Sequence, residues 1–377
     1  MAQPIAVLGA GAMGSVAAQL LARHKADVEL LVLDVDADRA KRVVERIGFG
    51  EARGFDATSN ELEQLLKEVR AVAACLPYRL NLPVMESALA AGCHYADLGG
   101  LFHTTKQQLK LSDRYEAAGI SAVLGIGSAP GLTNVLAKLG ADRLDRVESI
   151  DLVDGAIEEG GGAFGLPYSA ETIIDEFTLP AMTFEDGELR EVPAGSGVLQ
   201  WGFPEPLGTM PAIYTLHSEP ATLPDTIPGV RDVRWRLALP PAVHDGFALL
   251  TSIGLAGSEP VETPSGTVVP RDLLIAILNR MPTSDDEAKD VEYLDIRVAG
   301  EKDGSRVVAT ERALFTPPPE GMSAGSFGTA LPITVAVRWM AEGMVAPGVH
   351  PPETAFEPQD FVDELAREGV VFSSSLA

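Results

Sequence analysis

Between residue 5 and about residue 124, short apolar runs alternate with stretches of helical periodicity. Residues 5–8, 28–33, 71–76, 94–98 and 121–124 are continuous and apolar enough to be strands buried on both faces. Residues 14–24, 60–69, 81–91 and 104–118 place apolar side chains at helical spacing, and Gly92 and Gly119 stand where helix C-caps are expected, each just before the next strand. A short third strand is expected to end at Asp56. Strand and helix in strict alternation predict a parallel sheet with crossover helices. The stretch 125–131 is a loop, and 132–143 resumes a helix.

From Val147 to Thr316 the pattern changes. Residues 149–153 and 293–298 alternate apolar and polar, as strands half exposed to solvent do, around loops rich in proline and glycine. A second, α+β domain on a mixed, largely antiparallel sheet is predicted, its last strand ending before Pro317-Pro318-Pro319. Residues 331–343 then read as an apolar helix with Pro332 in its first turn, and 358–368 as an amphipathic one.

Composition narrows the class. The chain has 377 residues, 46% hydrophobic and 22% charged, which is ordinary for globular domains. No run approaches the roughly 18 apolar residues of a membrane span, and no basic flank precedes the first apolar stretch, so a cytoplasmic protein without membrane contact is expected. Cys75 and Cys93 form neither a disulfide framework nor a metal spacing, and no metal is expected. A net charge of −25 repels a polyphosphate backbone, which argues against a nucleic-acid partner and is compatible with a cationic small molecule.

The chemistry begins at Gly9-Ala10-Gly11-Ala12-Met13-Gly14, directly after the first strand and at the start of the first helix. Gly9 makes the tight turn, Gly11 admits a diphosphate to the backbone, and Gly14 lets helix and strand approach. Ala12 and Met13 supply first-turn N–H groups, whose partial positive charge favours an anion. Asp34 ends the second strand 20 residues after Gly14, where a carboxylate accepts hydrogen bonds from an adenosine ribose. This is a dinucleotide fingerprint in its proper context, and the first 130 residues are expected to form a Rossmann domain. NAD is favoured over NADP, because a 2′-phosphate would meet the like charge of Asp34. Arg39 reads as part of a solvated helix face and would serve NADP only by folding back. Asp56 is placed near the adenine or in an ordinary turn. Leu76, Pro77, Ala129 and Pro130, in loops at the carboxyl ends of strands, are expected against the cofactor.

Asp97-Leu98-Gly99-Gly100, Ser128-Ala129-Pro130-Gly131, the segment from Tyr214 to Pro224 and Gly328-Thr329-Ala330-Leu331-Pro332 resemble the saccharopine dehydrogenase family, in particular its lysine 6-dehydrogenase branch. The likeness spans nearly the whole chain. It implies a substrate and dimerisation domain over 131–318, C-terminal helices in 328–377 returning to the first domain, and a homodimer. It also implies NAD(P)-linked oxidation of a carbon bearing an amine, or reduction of an imine. The substrate would be an amino acid or a diamine. Lysine 6-dehydrogenase-like oxidative deamination comes first, a saccharopine-type reductase joining an amine to an oxo acid or aldehyde second, and a non-catalytic NAD sensor third.

Such a reaction moves a proton on nitrogen as hydride moves on carbon, so a proton-accepting group is expected beside the nicotinamide. Asp97, at a strand's carboxyl end, is the first candidate, with a capping role as its structural alternative. Tyr78 and His217 are the other catalytic candidates. An amino-acid carboxylate calls for a guanidinium, and the alternation Arg234-Trp235-Arg236 sets both arginines on one strand face, so Arg236 and Arg312 are candidates. Gly100, Tyr168 and His244 complete the substrate set. No His-Glu-x-x-His helix is present.

Overall fold

In a computed structural model, residues 3–99, 101–158, 169–280 and 290–377 are described. The N-terminal part runs β1 (Ile5–Leu8), α1 (Ala12–Ala22), β2 (Leu30–Asp34), α2 (Ala37–Ile47), β3 (Glu51–Gly54), α3 (Leu62–Leu66), β4 (Ala71–Ala74), α4 (Asn81–Ala91), β5 (His94–Asp97), α5 (Leu101–Gln108), α6 (Ser112–Ala118) and β6 (Ser121–Val123). Beyond it come α7 (Leu132–Ala141), β7 (Arg146–Glu158), α8 (Ala170–Thr178), β8 (Ala181–Glu185), β9 (Glu188–Val192), β10 (Leu199–Gly202), β11 (Thr209–Ile213), α9 (Glu219–Thr226), β12 (Asp232–Ala238) and α10 (Pro241–Ser252). The chain closes with β13 (Val261–Thr263), β14 (Gly266–Val268), α11 (Pro270–Leu278), β15 (Asp290–Lys302), β16 (Ser305–Phe315), α12 (Ala324–Ala341), β17 (Gly348–His350), α13 (Pro352–Ala355), α14 (Pro358–Arg367) and β18 (Val371–Leu376).

The first sheet has seven parallel strands in the order β17-β6-β5-β4-β1-β2-β3. Its strands are short and apolar because both faces are covered. Ile5, Val7, Leu30, Val32, Ala71 and Ala73 pack on the side of α1 and α12, and Ala6, Leu8, Leu31, Leu33, Val72 and Ala74 on the side of α3, α4 and α6. The strand order reverses between β1 and β4, which opens a crevice at their carboxyl ends.

The second sheet has nine strands, mixed and mostly antiparallel, following β10-β11-β12-β7-β15-β16-β18 with β8 and β9 branching at β12. Among the described residues of this sheet, only β12 and β7 pair parallel. Along β7, Ile150 and Leu152 enter the main core while Val153 packs on the opposite face with Trp201 and Phe203. That alternation gives the sheet two faces, of which the one bearing Leu152, Trp235 and Leu294 turns toward the first domain.

Several elements depart from the pattern-based expectation. Helix α2, expected only as the helix face that carries Arg39, starts at Ala37, where Asp36 caps it by accepting from the Asp38 and Arg39 N–H groups. The stretch 104–118 splits into α5 and α6. Helix α12 begins at Ala324, capped by Ser323, so Pro332 lies inside it. Small residues before Leu331 read as loop, but burial between the two sheets offsets the missing proline N–H. The C-terminal stretch divides: α12 packs on α1, β17 extends the first sheet beside β6, and β18 pairs with β16 of the second.

Candidate active site

The glycine turn satisfies the geometry of a diphosphate cradle. A Cβ on Gly14 would lie 1.7 Å from the Gly9 carbonyl oxygen, so only glycine allows α1 to approach β1. A Cβ on Gly11 would meet nothing within 4 Å, which leaves open space over the start of α1. Ala12 and Met13 occupy its first turn, where helix N–H groups lack intrahelical partners. Asp34 accepts from the Ala10 N–H at 2.7 Å and from the Asp36 N–H at 2.9 Å, keeping lone pairs for a ribose diol. These residues fit a dinucleotide: the turn would hold the diphosphate and Asp34 the ribose.

Arg39 is not a free surface cation. Its Nη1 lies 3.7 Å from Asp34 Oδ1. Asp56 is exposed, two residues beyond β3, and its Oδ1 accepts from the Thr58 N–H and hydroxyl, which makes it a turn residue that these bonds hold below the usual carboxylate range. Leu76 and Pro77 follow β4 at the crevice, with Leu76 packed near Gly9. Pro130, after a cis Ala129–Pro130 bond, packs against Gly99 and Gly125, so the loops after β5 and β6 touch.

Asp97 takes its structural role. It is fully buried, with Oδ1 accepting from Gly99 and Gly125 N–H and Oδ2 from the Tyr95 hydroxyl and the Gln108 amide. Burial raises its pKa and these four donors pull it back. With both oxygens so engaged, it ties the crevice loops together. Tyr78 is likewise committed: its hydroxyl donates to Asp175 Oδ2 at 3.1 Å, and Arg271 holds the other oxygen at 2.5 Å. Arg236 and Arg312 lie on the far face of the second sheet. Arg236 pairs with Asp151 and Tyr214, and Arg312 with Asp295, whose strand neighbours Leu294 and Ile296 face the first domain. The alternation that put the arginines on one face put them on the face away from the crevice. His244 pairs with the adjacent Asp245 on α10. Gly100 and Tyr168 lie outside the described residues.

What the crevice contains is a set of buried and half-buried acids that sequence reasoning missed. Asp154 of β7 and Glu292 of β15 project from the face turned to the first domain, Glu219 opens α9 and Glu176 lies on α8. His217 Nδ1 donates to Glu219 Oε2 at 2.6 Å, and Thr133 of α7 donates to Glu219 Oε1 at 2.9 Å. The His217 ring stacks on Trp235 with centroids 4.0 Å apart and planes 11° from parallel. The Ser128 hydroxyl, from the loop after β6, donates to Glu292 Oε1, so this group adjoins the first domain's crevice.

The charges that shift Asp154, His217 and Glu292 are those of neighbouring acids and of His217 itself. Burial pushes Asp154 up to about 7; His217 opposes the shift, while Glu219 and Glu176 add to it. Burial and the Asp154 charge hold Glu292 well above the usual range, against the Ser128 bond. Burial disfavours charge on His217, but Glu219, Glu176 and Asp154 outweigh it and its pKa is raised. Asp154 Oδ1 is buried without a hydrogen-bond partner among the described residues. A buried, unpartnered carboxylate oxygen beside other acids is the complement of an ammonium group. The sequence gives little hint of this, because the acids come from four separate elements.

Residues 5–123 match the family model of the saccharopine dehydrogenase NADP binding domain, and residues 127–370 that of the saccharopine dehydrogenase C-terminal domain. Carboxyaminopropylagmatine dehydrogenase of Synechocystis sp. is 25% identical over 313 residues, covering 80% of this chain and 78% of that protein. Carboxynorspermidine synthase of Vibrio cholerae is 27% identical over 326 residues, covering 79% and 78%. Among solved structures, saccharopine dehydrogenase (L-Glu forming) from Saccharomyces cerevisiae superposes with a TM-score of 0.77 at 16% identity over 100% of both chains. Homospermidine synthase from Legionella pneumophila, in complex with NAD, gives 0.71 at 14% identity over 100% of this chain and 92% of the other. Both structural likenesses show the same fold.

Proposed function

The chain belongs to the saccharopine dehydrogenase family, and from that premise we propose that this NAD(P)-dependent dehydrogenase joins an amine of the polyamine class to an aldehyde or 2-oxo acid by imine reduction. The observation that carries the reading is the convergence of Asp154, Glu219 and Glu292 around His217, with Asp154 Oδ1 buried and without a hydrogen-bond partner among the described residues. Lysine presents a carboxylate as well as an amine, yet Arg236 and Arg312 face away from the crevice. A substrate with several ammonium groups matches the acids better. Two relatives bear the names of enzymes of carboxylated polyamines, which supports the same choice.

In the condensation, amine nitrogen adds to the carbonyl carbon and water leaves, giving an imine. Hydride then adds to the imine carbon and a proton to its nitrogen, giving a secondary amine; the reverse cleaves it. A nicotinamide held in the dinucleotide cradle would supply or accept the hydride. Asp154, half protonated near neutral pH, and His217 hold the proton that nitrogen gains. Glu219 orients the imidazole, Trp235 fixes its plane, and the remaining carboxylates seat the ammonium groups. Ser128 ties Glu292 to the loop after β6, beside the crevice that would hold the nicotinamide.

The test is oxidation of NADH or NADPH by the purified protein with linear diamines, agmatine or lysine, each paired with aldehydes and 2-oxo acids. Turnover is expected with a diamine or guanidino-amine plus a carbonyl compound. Turnover confined to lysine with NAD, releasing ammonia, would favour the oxidative deaminase instead.

A further inference from the structure

We propose that Thr133, the second residue of α7, is a positioning residue: its hydroxyl holds Glu219 so that His217 keeps its proton on Nδ1 and exchanges protons through Nε2. This rests on the role given to His217 above. Thr133 has one hydroxyl proton and two acceptors within reach, Glu219 Oε1 at 2.9 Å and Asn134 Oδ1 at 3.4 Å. The nearer, charged acceptor takes it, because hydrogen bonds to a carboxylate are the stronger ones. Asn134 Oδ1 is in any case engaged, accepting from the Gly131 N–H at 3.2 Å.

The amide of Asn134 cannot turn over to change this. Its Nδ2 donates to Glu353 Oε2 at 3.0 Å and to Thr222 Oγ1 at 3.2 Å, and Glu353 is anchored in turn by the Thr226 hydroxyl at 2.8 Å. A turned amide would set donor against donor at Gly131 and acceptor against acceptor at Glu353. Thr133, Asn134, Glu219 and Glu353 are buried, so these bonds lie in an interior where a missing partner is costly. The bonds thus run from α13, which follows the last strand of the first sheet, through α7 to the histidine of the second domain. The charged groups around His217 are Glu219 on α9, Glu176 on α8, Asp154 on β7 and, through Asp154, Glu292 on β15, while Trp235 of β12 covers the ring. Changing Thr133 removes none of them. Without its hydroxyl the Glu219 anion depends more on the imidazolium, so protonation of the pair is favoured and His217 titrates higher. A merely structural loss would loosen the pair instead, and His217, now raised, would fall back toward its ordinary value.

Titration of the histidines of the full chain by 15N NMR, with neither substrate nor dinucleotide added, tests this, and His217→Gln assigns the signal. In the parent the neutral ring is expected to carry its proton on Nδ1. Thr133→Val, which keeps the shape and loses the hydroxyl, is expected to raise the titration of His217 by about 0.5–1 pH unit, part of the worth of a hydrogen bond to a charged group. Thr133→Ser restores the donor and is expected to titrate within about 0.2 pH unit of the parent. A neutral ring protonated on Nε2 in the parent, or a Thr133→Val titration that stays or falls, overturns the inference. The tautomer is read on the parent, so the test holds even if Thr133→Val does not fold. Turnover plays no part in the readout, which tells a failure of this inference from a failure of the proposed reaction.

Discussion

Asp154 shows how one residue is displaced from its ordinary chemistry by its neighbours. An acid whose folded pKa is about 7, against 3.8 in the open chain, makes the folded state bind more protons between those values. Its contribution is then neutral below pH 3.8 and becomes destabilising as pH rises to 7, because stability falls wherever the folded state holds the extra proton. Asp154→Asn is expected to stabilise the apo protein at pH 8 by an amount on the order of a few kcal/mol, and to make no difference near pH 4. Urea denaturation at the two pH values measures it. The same substitution is expected to lower kcat for imine reduction by about a hundredfold or more, since a proton-holding group is lost. Stability gained while activity is lost marks a site residue, whereas a structural acid would lose both.

At the level of elements, the crevice is held by side chains that reach from one sheet's loops to the other's helices. Tyr78 follows β4 and bonds Asp175 on α8, the residue before Glu176; Arg79 pairs with Glu171 on the same helix. Lys106 of α5 pairs with Asp225 of α9. The loop after β4 and helix α5 are thus connected directly to the helices carrying the acids. Tyr78→Phe removes one hydrogen bond to a carboxylate that keeps Arg271, and is expected to cost about 1–2 kcal/mol in urea denaturation. It is also expected to raise KM more than it lowers kcat, because it loosens placement and removes no reacting group. A change in kcat of about a thousandfold with KM unmoved would show instead that the phenol takes part in the chemistry.

For the whole molecule, a net charge of −25 surrounds a site that is itself acidic. Such a field draws polycations to the crevice and is screened within about 8 Å at physiological ionic strength. With a diamine or longer polyamine as substrate, kcat/KM is expected to fall several-fold between about 0.05 and 0.5 M salt while kcat changes little. Stopped-flow or steady-state rates across a salt series check this. A rate indifferent to salt would make the acidic surface a matter of solubility alone. No described helix is long and apolar enough to cross a membrane.

The alternating pattern, the spacing from Gly14 to Asp34 and the resemblance at Ser128–Gly131 and Tyr214–Pro224 determined the parallel sheet, the dinucleotide cradle and the family, because each depends on residues close together in the chain. Local sequence also left Asp97 open between catalysis and capping. Only the tertiary structure decided for capping, by surrounding it with donors from Tyr95, Gly99, Gly125 and Gln108. The strand alternation rightly set Arg234 and Arg236 on one face but carried no information on which face meets the first domain. The acids were illegible for the same reason: Asp154, Glu176, Glu219 and Glu292 stand on β7, α8, α9 and β15, and their shared charge exists only once the sheet brings those elements together.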